Sequence, residues 1–187
     1  MAIVKQIPET TFQELAKGAG MIATTFTPSA PSTLENENIL CATSGGVALK
    51  CTPTIVDHAD GIDNAPLGML EMQEITDYAV EMSFTCKTVS ITTLGIAMGL
   101  TGTSGTKIAP KHGMLTAADV RDLWLIVPQT EKKCFAACIK NAFSTGGLDL
   151  QTENNGTGSL NITLKGMYKQ ATQNEVPLEC YVIEDGE

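Results

Sequence analysis

The most regular feature of the chain is a period of two that begins at Val47. Val47, Leu49, Cys51, Pro53 and Ile55 fall on one side, and Ala48, Lys50, Thr52 and Thr54 on the other. That pattern predicts a half-buried strand from Val47 to Val56. Pro53 has no amide hydrogen to give to a ladder, which puts this strand at a sheet edge or a bulge. A longer alternation runs from Glu74 to Thr88, setting Tyr78, Val80, Met82, Phe84 and Cys86 against Asp77, Glu81, Ser83, Thr85 and Lys87. About 13 residues at ~3.3 Å each span roughly 40 Å, long for a strand in a globular protein. A third alternation, SLNITLKGMY, sets Leu160, Ile162, Leu164 and Tyr168 against Ser159, Asn161, Thr163 and Lys165.

Shorter patterns fill the rest. Asp122 to Val127 (DLWLIV) predicts a compact strand ended by Pro128. Lys133 to Asn141 predicts another, followed by a turn at Ser144 to Gly147, and PLECYVIE (177–184) a last one. In SITTLGIAMGL (90–100), Leu94, Ala97 and Met98 repeat at helical spacing, Ser90 suits the N-cap, and Gly99 or Gly102 can stop the turn. Residues 1–46 predict a largely irregular N-terminal arm, with a short helix over Pro8 to Lys17 and a short strand within Met21 to Phe26. Between the two long strands lies a polar loop, 57–73. Six or more strands with one helix imply two packed sheets, or one strongly bent sheet, in a single domain over 1–187.

Composition narrows the function. A chain of 187 residues with 43% apolar and 18% charged residues can bury a core. Its net charge of −9, with no stripe formed by its 12 Lys and Arg, argues against a DNA-binding surface. No apolar run is long enough to span a membrane, and MAIVKQIPETTF lacks the apolar stretch of a signal peptide. Synthesis in a cytoplasm is expected, and with it six reduced cysteines packed as small apolar residues.

No reaction centre is expected. Asp57, Asp60 and Asp63, with His58, fall at a spacing of three, whereas calcium loops present oxygens at alternate positions and close on a Glu. Glu71, Glu74, Asp77 and Glu81 read as a solvated face rather than an acid–base pair. The two histidines, His58 and His112, lie in loops beside no nucleophile motif. Cys134 and Cys138 share one strand face with Ala136, which suits a core better than zinc. In GLTGTSGTK (99–107), Thr106 separates the glycine from Lys107, and the segment follows a helix, so no phosphate loop is formed. No catalytic, cofactor or metal residue is assigned. What remains is a set of long strands with one wet face and free edges, which self-association would complete.

The order of these stretches resembles the major tail tube proteins of long-tailed (siphophage-type) phages of Gram-positive hosts. ATSGGVALKCTPTIVDHADGIDNAP resembles the family's first long strand and loop, and EITDYAVEMSFTCKTVSITTLGIAMGL its second strand and helix. DLWLIV, KNAFSTGGLDLQTENNGTGSLNITLKGMY and VPLECYVIE resemble its closing strands. The resemblance covers most of residues 40–184.

It implies a mainly β fold, a β-sandwich or bent β-barrel with one flanking helix. It implies a virion protein, not an enzyme, whose hexameric rings stack into a tube through which DNA is ejected without specific binding. Each copy would give four strands to an inner barrel. Lys50, Thr52, Thr54, Asp77, Glu81, Ser83, Thr85, Asn161, Thr163 and Lys165 would face the lumen, and Trp124 would lie in the core behind them. Six copies of a −9 chain would carry about −54 and repel passing DNA. The loop would dock between subunits or rings through Asp57, Asp60, Asp63, Asn64, Pro66, Leu67, Met69, Leu70 and Met72, ordering as it binds. Partners implied are the chain itself, a tape measure protein, a tail terminator and baseplate or distal tail proteins, with no membrane anchor and no cofactor. Two other classes stand beside this reading. One is the inner tube of a contractile tail or phage-like bacteriocin, which this pattern does not separate. The other is a ligand-binding β-sandwich, which would show more exposed aromatics than one Trp, three Tyr and five Phe.

Overall fold

The computed structural model describes residues 11, 15–31, 34–99, 107–110, 112–130 and 133–184. Among these residues eight strands form one antiparallel sheet: β1 (Met21–Ala23), β2 (Thr43–Asp57), β3 (Gln73–Cys86), β4 (Arg121–Thr130), β5 (Lys133–Ser144), β6 (Asp149–Gln151), β7 (Ser159–Gly166) and β8 (Leu178–Glu184). The order is β1-β4-β5-β7-β3-β2, with β6 on β7 and β8 on β5. The expected helix over Pro8 to Lys17 lies largely outside the described residues, as does most of 99–107.

The sheet folds back on itself at β5. This strand pairs with β8 over Lys133 to Ile139 and with β7 over Ala142 to Ser144. Between the two partners Asn141 takes a positive φ of 49°, a conformation Asn adopts more readily than most residues. Its side chain fixes the corner by donating from Nδ2 to the Met167 carbonyl at 3.1 Å, while its amide donates to Asp122 Oδ1 at 2.8 Å. The two halves close over one core. Val80, Met82 and Phe84 of β3 and Leu160, Ile162 and Leu164 of β7 meet Leu123 and Leu125 of β4 and Ile139 of β5.

The one described α-helix, α1 (Ile91–Ala97), caps this core with Ile96 and Ala97. Ser90 and Thr93 form a reciprocal capping box at its start, and Gly99, at φ 66°, follows its end. These are the signals the sequence carries.

Four expectations need correction. β4 does not stop at Pro128 but continues to Thr130, because a register irregularity at Pro128/Thr130 lets the strand pass a residue that cannot donate. Trp124 is buried, but not behind the polar-faced strands. It lies on the opposite face of β4 in a second cluster with Phe26, Ile126, Ala136 and Cys138, its ring 5.4 Å from Phe26. The cysteines are not uniformly thiols in a core. Cys41 and Cys86 are joined as a disulfide, their Cα atoms 6.0 Å apart, and Cys51 and Cys180 are exposed. Finally, the first long strand begins at Thr43, because Gly45 and Gly46, both at positive φ, form a bulge that lets Thr43 and Ser44 rejoin β3 opposite Cys86 and Thr85.

Candidate assembly surface

Directly opposed residues in antiparallel strands project to the same side of a sheet. In β2–β3–β7 the register sets Lys50 opposite Glu81 and Glu81 opposite Lys165, and likewise Ala48, Ser83 and Thr163. Ser44, Thr85 and Asn161 form a further row, and Thr54 faces Asp77. Thr52, opposite Ala79, falls between. All ten residues expected at a lumen therefore share one face of this sheet. The other face is the core face of Val80, Met82, Phe84, Leu160, Ile162 and Leu164.

The polar face is stitched across strands. Thr85 Oγ1 donates to Asn161 Oδ1 at 2.9 Å, and Asn161 Nδ2 donates to Asp149 Oδ2 of β6 at 2.7 Å. Asp149 was not among the expected residues. DLQ is too short for an alternation to show, and only its pairing with Asn161 places it. The face is nearly balanced in charge, with Lys50 and Lys165 against Asp77, Glu81 and Asp149. The acidic excess lies elsewhere: residues 57–74 carry Asp57, Asp60, Asp63, Glu71 and Glu74 and no Lys or Arg.

The second feature is the far half of the β2–β3 hairpin. β7 pairs with β3 only as far as Glu81. Beyond it β2 and β3 continue alone to Asp57 and Gln73 as a two-stranded ribbon. Here a register shift at Thr54/Ile55 interrupts the alternation on β3, and Ile55 and Ile75, paired across the ribbon beyond it, are 54% and 52% exposed. Pro53 sits opposite Tyr78, whose N–H and C=O are engaged by the Tyr168 hydroxyl on the side away from β2. The pair is thus a non-hydrogen-bonded one, and the proline nitrogen faces the free outer edge of β2, where no ladder bond is lost.

The loop at the ribbon's end is built around Asp57. Its carboxylate accepts from the Ala59 amide at 2.9 Å and the Gly68 amide at 2.8 Å. The Gly68 bond and then the Ala59 bond hold its pKa below the usual Asp value. The His58 amide donates to the Met72 carbonyl, and the His58 ring meets Glu74 at 2.6 Å. Ala59 is buried inside the turn. Asp60, Asp63, Asn64 and Pro66 are exposed, with Asn64 at φ 63°. Leu67 and Leu70 are 71% and 82% exposed, and Met69 and Met72 are half-buried. Among the described residues no three His, Cys, Asp or Glu side chains are grouped to hold a metal ion. No described helix is long and apolar enough to cross a membrane. Burial pushes the Cys138 thiol up to about 12, as suits a packed residue rather than a nucleophile.

No protein-family model matches the chain, and no curated protein matches it. Among solved structures, a chain of the virion of a native gene transfer agent particle aligns with 11% identity and a TM-score of 0.46, covering 87% of this chain and 95% of that one. A chain from the tail of an empty gene transfer agent particle, refined with C6 symmetry, aligns with 10% identity and a TM-score of 0.40, covering 81% and 92%.

Proposed function

We propose that this chain is a structural subunit of a phage-type tail tube. Copies associate side by side into rings, six to a ring, and the rings stack into a hollow tube that conducts DNA. One observation carries the reading: a sheet of strands β2, β3, β7 and β6 whose inner face is the main core, whose outer face is polar apart from Ala48 and Ala79, and whose edges at β2 and β6 are free among the described residues. Such a sheet can be extended by further copies at the edges of β2 and β6, which satisfies backbone groups that would otherwise invite irregular pairing. Closed into a ring, it presents Lys50, Thr52, Thr54, Asp77, Glu81, Ser83, Thr85, Asn161, Thr163 and Lys165 to a lumen. That lining is rich in hydroxyls and mixed in charge. It offers no continuous row of cations to hold phosphates, so DNA slides rather than binds. The exposed loop, with Asp57, Asp60 and Asp63 at its turn and Leu67 and Leu70 outside it, docks on a neighbouring subunit or ring. Further partners are a tape measure protein, a tail terminator and baseplate or distal tail proteins, and the chain has no catalytic role in the tube.

Electron microscopy of concentrated protein tests this. Rings or hollow tubes are expected from the wild type, and a variant lacking residues 60–70 should remain a folded monomer that forms none. A wild-type chain that stays monomeric at every concentration overturns the reading, and tubes from the deletion overturn the docking role of the loop.

A further inference from the structure

The ribbon leaves the body of the protein at Tyr78, where the Tyr168 side chain meets it. In the β3–β7 register, Glu81 opposes Lys165, so the residue that would oppose Tyr78, were the pairing continued, is Tyr168. The backbone of β7 never arrives. Asn141 takes Met167 instead, receiving its amide at 3.3 Å and donating Nδ2 to its carbonyl at 3.1 Å. The Tyr168 side chain fills the gap. Its hydroxyl donates to the Tyr78 carbonyl at 3.2 Å and accepts from the Tyr78 amide at 3.2 Å, an amide shared with Asp77 Oδ1 at 2.7 Å. Below this bridge the two elements separate around an open groove of about 530 Å³ between Ile75, Thr76 and Asp77 on one side and Gln173, Asn174 and Val176 on the other.

We propose that Tyr168 is a positioning residue that sets the direction of the β2–β3 ribbon relative to the sandwich. A two-stranded ribbon alone is a weak lever, free to twist and bend. One phenol acts as a surrogate strand, taking the carbonyl and sharing the amide of the last residue before both faces become exposed. It ties the ribbon to the corner at Asn141, so the orientation of the ribbon's end is set by the bend in β5. The inference concerns the free subunit. Its consequence for tube formation rests on the assembly reading above, since an arm that points correctly before docking loses less freedom on docking.

The test is Tyr168→Phe, which removes one oxygen and keeps the ring. Amide hydrogen exchange of the monomer should be at least tenfold faster at Tyr78 in the variant, while the amides of Met82 to Cys86 keep their protection and the melting temperature falls by no more than about 4 °C. The variant should need several-fold more protein to form tubes. Tyr78 exchange within twofold of wild type overturns the strut. Faster exchange with unchanged tube formation upholds the strut and overturns its role in assembly. If wild-type protein forms no tubes at all, the assembly reading fails, and the exchange measurement still decides the strut.

Discussion

The two halves of the β2–β3 hairpin are built from the same two strands, yet they have opposite fates. In the near half Val80, Met82, Phe84 and Cys86 are all at most 5% exposed, because β7 extends the sheet and β4 and β5 close over it. In the far half, past the register shift at Thr54/Ile55, Ile55 and Ile75 form a cross-strand pair that stays more than half exposed, with no third strand and no facing layer among the described residues. A period of two therefore reports which side a residue takes, not whether anything covers that side. An isolated two-stranded ribbon is marginal in water, and it is here that the sheet leaves apolar side chains exposed.

Truncation should separate the halves most sharply. Met82→Ala removes a side chain that is 1% exposed and should cost about 3 kcal/mol in chemical unfolding. Ile55→Ala, near the far end of β2, should change monomer stability by less than about 0.5 kcal/mol. Comparable losses at the two sites would mean that the far half is covered in the monomer after all. A smaller effect is expected at the near end, where Ser90→Ala opens the capping box of α1 and should cost about 1 kcal/mol by thermal unfolding. Thr93→Ser, which keeps a hydroxyl for the box, should cost less.

The smallest and most local effect belongs to the far end. The pKa of Asp57 is lowered, so the loop closure it provides is complete above the ordinary Asp value of about 3.9 and is lost as the pH falls through the lower folded value. The Gly68 amide proton shift should thus be flat from neutral pH to about pH 5 and move only in strong acid, with global unfolding unaffected by Asp57→Ala. A Gly68 midpoint at or above the ordinary value would remove Asp57 as the closing group.

Much of the near half was legible in the chain. Val80, Met82, Phe84, Leu160, Ile162 and Leu164 announce their face, and Ser90 with the spacing of Leu94 and Ala97 announces the helix, since each signal acts through neighbours a few residues away. Trp124 was misplaced for a physical reason. β4 and β5 are buried on both faces, so Leu123, Trp124, Leu125 and Ile126 are all apolar, and alternation carries no side information there. Pro128 was read as a stop because a proline rule is local, whereas the irregularity that accommodates it depends on β5. Asp149 gave no signal, and the alternation assigned Tyr168 a face but not its role, because both roles depend on partners 12 and 90 residues away. The acidic balance pointed to the polar face, but the carboxylates cluster in the loop.

By itself, then, the sequence determined the local quantities: the strands and their two faces, the helix and its cap, and the grouping of ten polar residues against a run of apolar ones. Local sterics and the two-residue repeat of an extended chain impose these whatever the rest of the protein does. Tertiary structure alone decided where β7 stops pairing, which apolar face is covered, which cysteines meet and which side chain takes over from a missing strand. Those outcomes depend on Asn141 turning β5 from β8 to β7, and on contacts between residues far apart in the chain, which no repeat along the sequence encodes.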